Sequence, residues 1–267
     1  MTRSLHKKSS SPPQSNTKSS DPPSATFLLE IGSEELPWQM IRPAMNQLDQ
    51  SIQALLVEQR ITYGAIRSFG TPRRLAVLIE NVSTKQPSAY EEVLGPSKAA
   101  AFDVQGQPTK AAQGFAKSQG IDAKSLEVRE TPKGEYVCAV KCQDGRRTDV
   151  VLKETLSSLI KNLSFPKTMK WNATGVRYPR PIRWVLALLG PNIVSIEVAG
   201  VKSWNRTFGH RFLSGNKGSS SKAKGIEIKN PEAYESMLEQ AGVVADPEQR
   251  RIIMQSRMNI LVRAVEG

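Results

Sequence analysis

Two kinds of apolar pattern alternate along this chain, and their irregular order limits the folds open to it. Residues 38–60 carry apolar side chains three or four positions apart, which predicts one amphipathic helix. Residues 26–31 and 75–80 are short apolar runs of strand length. Because helices and hairpins are mixed without a regular strand-helix-strand repeat, we predict an α+β fold. Its sheets are mostly antiparallel with packed amphipathic helices, and it ends in the start of a helical region.

Turn and helix-breaking residues divide the rest of the chain into further elements. Pro132 and Gly134 predict one hairpin turn, and Asp246 followed by Pro247 predicts the start of the last helix. We predict strands at residues 65–69, 126–130, 135–141, 182–189, 192–199 and 201–213. We predict helices at 109–118 and 151–163 and from 230 and 246, and an exposed loop at 214–224.

The first 25 residues differ in composition from all that follows. They contain four Lys and Arg, four Pro, many Ser and a single acid, Asp21. With almost no apolar side chains to bury, residues 1–25 are predicted to form a disordered basic tail. Organellar import is an alternative reading, since such a tail is basic, Ser-rich and poor in acids. We assign an α+β region to residues 26–225 and a helical segment to residues 226–267.

The charge balance favours a polyanionic partner. The chain has a net charge of +12 and a pI near 9.8, values typical of nucleic-acid-binding domains. No apolar run approaches the ~20 residues needed to cross a bilayer, so we expect no membrane partner and a cytoplasmic location. Cys138 and Cys142 are too far apart along a strand to form a disulfide. With only two His residues, we predict no metal-ligand set.

Basic and aromatic residues are interleaved in one stretch of the chain. Residues 161–211 hold nine Lys and Arg but one acid, Glu197. Cations attract phosphates whatever the base, and aromatic rings stack on unpaired bases. The stretch therefore predicts a surface that faces nucleic acid. A plain solvated face remains an alternative, as do acidic proteins and lipid head groups.

Candidate binding residues come from this stretch and from the bend at Thr71-Pro72, where two guanidiniums can reach phosphate. They are Arg73, Arg74, Lys167, Lys170, Trp171, Arg177, Arg180, Arg183, Arg206, His210 and Arg211. The alternative role for each arginine is a structural ion pair with an acid such as Glu34, Glu35 or Glu197. Polar neighbours favour Trp171 as the stacking ring, whereas Trp184 is predicted to lie in the core.

Motifs for catalysis are scarce. The sequence has no phosphate-binding glycine loop of the Walker or dinucleotide type and no Gly-x-Ser-x-Gly elbow. The adjacent Glu34 and Glu35 could act as general acid and base, but carboxylates before a helix more often serve as cap and dipole partners. We predict no catalytic residue on this chain.

Seven short motifs, taken in order, resemble one family. They are FLLEIGSEELP at residues 27–37, TPRRLA at 71–76, GP with AFD at 95–103, PTKAA with GFA at 108–116, PKTMKW at 166–171, RPIRW at 180–184 and GHRF at 209–212. In this order they resemble the amino-terminal part of the β subunit of the bacterial-type heterotetrameric glycyl-tRNA synthetase. The resemblance covers residues 26–266.

The resemblance implies a division of labour between subunits. In that family a separate α subunit activates glycine with ATP and Mg²⁺, and the β subunit binds tRNA(Gly) in an α2β2 enzyme. It also implies that an HD-like helical region and an anticodon-binding domain follow, so the chain would be a fragment whose last helix opens that region. Two alternatives stay open: a module that docks the α subunit, for example through residues 38–60, and a stand-alone tRNA-binding factor.

Overall fold

The structure is a computed structural model that describes residues 23–103, 105–132, 134–213 and 225–266. The predicted tail up to residue 22 and the predicted loop at 214–224 lie outside this range, and the first strand begins at Ser24. In chain order the strands are β1 Ser24–Ser33, β2 Ile66–Thr71, β3 Arg74–Ser83, β4 Ala89–Ser97, β5 Glu127–Thr131, β6 Gly134–Gln143, β7 Ile182–Leu189, β8 Asn192–Ile193, β9 Glu197–Val198, β10 Val201–Trp204, β11 Arg206–Thr207 and β12 Ile226–Glu227. The helices are α1 Trp38–Glu58, α2 Lys98–Ala101, α3 Lys110–Gln119, α4 Thr148–Lys161, α5 Tyr234–Gln240 and α6 Pro247–Glu266.

The main sheet organises the molecule. Its strands lie in the order β2-β3-β1-β7-β10-β9, and β8 pairs with β7. All neighbours are antiparallel except β7 and β10. The predicted α+β class with mostly antiparallel sheets is therefore confirmed.

Both faces of the main sheet are covered. Phe27, Leu29 and Ile31 of β1 point to one face, where they share a fully buried core with the apolar stripes of α1 and α4. Leu28 points to the other face and packs in a second core with residues of α5 and its neighbours. This alternation follows from the two-residue period of a strand. Because α1 buries its stripe inside this chain, the alternative in which the apolar stripe of residues 38–60 is buried at a subunit interface is wrong.

A second, smaller sheet is inserted between β3 and α4. It has the order β4-β6-β5, and α3 covers one face through Ala112 and Phe115. Two chain segments run side by side to join this inserted unit to the main body. We call them the stalk: Gln86 donates its N–H to the Arg146 carbonyl at 2.9 Å, and Arg146 donates its N–H to Gln86 Oε1 at 3.1 Å.

The predicted signals agree with the boundaries of α3 and α6, but the helix predicted from residue 230 begins only at Tyr234, and Asn230 forms no side-chain cap. Thr109 caps α3, and Gly120 ends it with a φ of 73°. Asp246 Oδ1 accepts the backbone N–H groups of Glu248 and Gln249 at 2.7 and 3.2 Å, which caps α6. The large apolar side chains of α6 between residues 252 and 262 are exposed, and no helix among the described residues is both long and apolar enough to span a membrane.

The continuous strand predicted at residues 192–199 is wrong, since the structure has only the short pieces β8 and β9 there. Ser203 Oγ accepts the N–H of Ile196 at 2.9 Å and donates to the carbonyl of Val194 at 2.7 Å. This side chain thus satisfies backbone groups that a strand partner would otherwise take. The strand predicted within 201–213 is likewise shortened to β10 and β11.

Candidate nucleic-acid interface

Several of the predicted cations meet at one end of the main sheet. At the end of β1, Ser33 donates its N–H to the carbonyl of Arg73 at 2.9 Å, and Glu34 donates its N–H to the carbonyl of Pro181 at 3.0 Å. These bonds place the β2–β3 bend on one side of Glu34 and the start of β7, with Arg183, on the other. Glu34 and Arg183 are about 150 residues apart in the sequence, and the pairing of β1 with β3 and β7 brings them together.

Two of these arginines share one carboxylate. Arg183 Nε lies 3.0 Å from Glu34 Oε1, and Arg211 Nη2 lies 3.4 Å from Glu34 Oε2. Arg211 Nη1 is also 3.4 Å from Glu35 Oε1. We call Arg73, Arg183, Arg211, Glu34 and Glu35 the arginine cluster. Here the acids are partners of arginines, and α1 has no side-chain cap, so the helix-cap role considered for them is wrong.

Arg73 is the half-buried member of the cluster. Its guanidinium carbon lies 5.6 Å from the centre of the Trp184 ring, within cation–π range. Burial and then the charge of Arg211 lower the pKa of Arg73, while Glu34 raises it. Its Nε has no hydrogen-bond partner among the described residues. Arg73 is thus a half-buried cation held against a ring, and its Nε is buried without a described partner.

Arg74 does not reach the surface. It is 2% exposed, its Nη2 donates to the carbonyl of Phe208 at 2.6 Å, and its Nε lies 3.8 Å from Glu30 Oε1. The prediction that Arg74 contacts phosphate from the bend is corrected accordingly: successive side chains on a strand point to opposite faces, and this one points inward. It takes the structural role that the sequence left open.

The inward face supports the cluster from below. Fully buried Glu30 accepts two hydrogen bonds of 2.8 Å on Oε1, from Trp184 Nε1 and from Thr207 Oγ1. Trp184 is buried, as predicted, and packs edge to face on Phe208 with ring centres 4.8 Å apart. This buried network fixes both the ring under Arg73 and the segment that leads to Arg211.

A second group of cations lies on the segment between α4 and β7. Lys167, Lys170, Arg177 and Arg180 are exposed, and no described acid pairs with any of them. Arg177 Nε donates to Thr168 Oγ1 at 3.0 Å, and Arg180 Nη1 donates to the Pro179 carbonyl at 3.0 Å. We call these four residues the exposed cation segment.

The exposed cation segment is held in shape by its own short bridge. Met169 and Tyr178 exchange backbone hydrogen bonds of 2.9 and 3.3 Å. Tyr178 is buried against Phe165 with ring centres 4.9 Å apart, and its burial raises the pKa of the phenol. Trp171 was predicted to be surrounded by polar neighbours. This is wrong, because its ring is half-buried and packs on the main core.

The remaining candidates follow β10. Arg206 is exposed on β11. It lies opposite Glu227 in the β11–β12 strand pair but forms no ion pair with an acid among the described residues. His210 Nδ1 accepts the backbone N–H groups of Phe212 and Leu213, both at 3.2 Å. His210 therefore shapes the turn that carries Arg211.

Comparison with known proteins agrees with the motif order. The family model for the glycyl-tRNA synthetase beta subunit matches residues 27–267. The chain belongs to the glycyl-tRNA synthetase β-subunit family. It is 42% identical over 241 residues to the glycine–tRNA ligase beta subunit of Desulforamulus reducens and 41% identical over 235 residues to that of Bacillus subtilis. These alignments cover 90% and 88% of this chain but 34% and 33% of the two relatives, so the chain spans about a third of their length.

In this member of the glycyl-tRNA synthetase β-subunit family, the predicted candidate residues left out two exposed rings. Trp204 is 57% exposed and Phe212 is 82% exposed, and Phe212 lies next to Arg211. The two-residue period of β10, with Ser203 buried, was the signal for Trp204. No group of His, Cys, Asp and Glu that could hold a metal ion occurs among the described residues.

Proposed function

We propose that this chain is the tRNA-binding amino-terminal part of a glycine–tRNA ligase β subunit, and that the exposed cation segment contacts the phosphates of tRNA(Gly). The observation that carries this proposal is the set of four exposed cations, Lys167, Lys170, Arg177 and Arg180, with no acidic partner among the described residues. Unpaired exposed cations retain their full attraction for phosphate, whereas paired ones have part of it cancelled.

The shape of the segment supports the same proposal. The Met169–Tyr178 bridge and the buried Tyr178 ring limit its conformational freedom. A preorganised set of cations loses less side-chain and backbone entropy on binding than a flexible one. Arg180 is followed directly by Pro181, which bonds Glu34, so the segment leads into the arginine cluster. Trp204 and Phe212 add exposed rings for stacking.

The chemistry of aminoacylation belongs, in this proposal, to a separate α subunit in the cytoplasm. That subunit would bind ATP with Mg²⁺ and glycine, and the two kinds of chain would assemble as α2β2. The word "beta subunit" in the names of the relatives supports a partner chain. The exposed apolar side chains of α6 support its assignment as the opening of an HD-like helical region at residues 226–267.

The test is removal of three cations of the segment at once. In the variant Lys167→Ala/Lys170→Ala/Arg180→Ala, affinity for a tRNA(Gly) transcript is expected to fall. Each lost phosphate contact lowers the slope of log K against log salt by about one, so the slope is expected to flatten by about three. Filter binding at five salt concentrations measures both quantities.

A matched control separates this surface from net charge alone. Lys110, Lys117 and Lys124 are exposed on the inserted unit, and their replacement by Ala removes the same total charge. This control is expected to change affinity by less than about threefold, because in this proposal the inserted unit does not contact phosphate and charges beyond a Debye length of ~10 Å are screened. Equal losses in the two triple variants, or no loss in either, would contradict the proposal.

A further inference from the structure

The arginine cluster already contains an anion. Glu34 uses both carboxylate oxygens, one for Arg183 and one for Arg211. The side chains of these two arginines are 59% and 48% exposed, while that of Glu34 is 32% exposed. The Glu34 side chain is therefore less exposed than the two arginine side chains that contact it, and both arginines remain partly open to solvent.

A phosphate group would bind the same guanidinium donors of Arg183 and Arg211. Guanidinium forks bind carboxylate and phosphate in the same bidentate geometry. Arg183 presents its Nε to Glu34, so a phosphate that approaches that edge meets a position already filled. The negative charge of Glu34, with Glu35 beside Arg211, also repels an incoming phosphate at a distance of a few ångströms.

We propose that Glu34 is an affinity-setting residue of the RNA surface: it competes with tRNA phosphates for Arg183 and Arg211, so these two arginines engage RNA only when the carboxylate is displaced. The inference rests on the proposed function. Competition by Glu34 makes the arginine cluster bind RNA more weakly and more selectively than the exposed cation segment. The carboxylate repels ligands that cannot offer phosphates to both arginines.

The backbone around Glu34 does not depend on its carboxylate. Its N–H bonds the Pro181 carbonyl at 3.0 Å, and its own carbonyl accepts Ser33 Oγ at 2.8 Å. Replacement by Gln keeps the volume of the side chain and both backbone bonds. Exposed ion pairs of this kind contribute little to folding, so the Glu34→Gln variant is expected to remain folded.

The decisive measurement is the sign of the change in tRNA affinity. Glu34→Gln is expected to raise the affinity for a tRNA(Gly) transcript about threefold or more at low salt and to steepen the salt dependence, because two cations become available to phosphate. Glu35→Gln is expected to give a smaller gain, since Glu35 reaches only Arg211. An unchanged or lowered affinity in Glu34→Gln overturns the proposal.

Two further variants show whether the effect is local. Glu154→Gln removes the same charge and frees Arg146, its partner at 2.6 Å, outside the cluster, and it is expected to leave affinity within about twofold. In a chain that carries Arg183→Gln and Arg211→Gln, the further change Glu34→Gln is expected to have less than half its effect in the parent chain. Equal effects with and without the two arginines would mean that net charge alone acts, and would also overturn the proposal.

The proposed function and this inference fail in different ways. Should the unmodified chain not bind tRNA, the proposed function fails. Should the unmodified chain bind tRNA while Glu34→Gln binds no better, the proposed function stands and the role of Glu34 is wrong. Far-ultraviolet circular dichroism of each variant identifies any loss that comes from unfolding.

Discussion

At the scale of single residues, Glu30 and Arg74 form the one strongly charged contact in the described part of the core. Both side chains are at most 2% exposed. Their closest approach of 3.8 Å is too long for a hydrogen bond, and Glu30 Oε2 together with Arg74 Nε and Nη1 has no described partner. Burial of ionised groups is costly unless each compensates the other. The pair therefore adds little net stability, but the loss of either residue leaves the other buried without its opposite charge.

Replacement of Arg74 by Met tests this dependence. The substitution leaves the carboxylate of Glu30 buried with only neutral donors, so we expect the free energy of unfolding to fall by about 3–5 kcal/mol. Urea denaturation measures it, with the m value unchanged. The double variant Glu30→Gln/Arg74→Met is expected to recover part of this loss.

The control for that experiment is a partly exposed arginine. Arg67 is 41% exposed and pairs with Glu235 and Asp246, which are 24% and 25% exposed, so Arg67→Met is expected to cost about 1 kcal/mol, less than Arg74→Met. Equal losses for Arg67→Met and Arg74→Met would show that burial of the Glu30–Arg74 pair has no special weight.

At the scale of elements, the stalk is where the inserted unit depends on the main body. A Cβ atom on Gly145 would overlap the backbone oxygen of Gln86. The N–H and side chain of Gln86 are hydrogen-bonded to Arg146, so the Gln86 backbone oxygen cannot move aside as the end of a flexible side chain can. Gly145→Ala is therefore expected to destabilise the protein by about 1–3 kcal/mol and to accelerate amide exchange at Gln86 and Thr148, whose N–H groups bridge the stalk.

Gly114 is the matched glycine without such a neighbour. It lies inside α3, and a Cβ atom there would meet nothing within 4 Å. Gly114→Ala is expected to raise the free energy of unfolding by about 0.5–1 kcal/mol, since Ala favours a helix interior. If both substitutions shift stability in the same direction, overlap at the stalk is not what limits Gly145.

Elements also show what the sequence could and could not reveal. The stripe through Leu48 and Ile52 predicted α1 because packing on one sheet face imposes the helical period. Strand β4 was missed because Glu91 and Glu92 interrupt any apolar alternation, and an edge strand with one open face tolerates them. The inward turn of Arg74 and the pairing of Glu34 depend on residues more than 130 positions away, which no local pattern records.

At the scale of the whole molecule, the positive charge is unevenly distributed. Residues 88–144, which contain the inserted unit, hold seven Lys and Arg against eight Asp and Glu. The net charge of +12 therefore comes entirely from the rest of the chain. Long-range attraction of a polyanion follows the summed field, so the tRNA of the proposed function would be attracted to residues outside the inserted unit.

The same distribution bears on what the chain does without a partner. The four cations of the exposed cation segment are open to solvent, and the sequence lacks a phosphate-binding glycine loop, whereas activation of an amino acid needs ATP and the carboxylate held together in an enclosed, preorganised site. The isolated chain is therefore expected to show no glycine-dependent ATP–pyrophosphate exchange while it still binds tRNA. A radiolabelled exchange assay with the purified chain, with an α subunit, and with the two combined measures this directly. Exchange by the purified chain would place adenylate chemistry on this polypeptide and would contradict the proposed separation of RNA binding from bond formation.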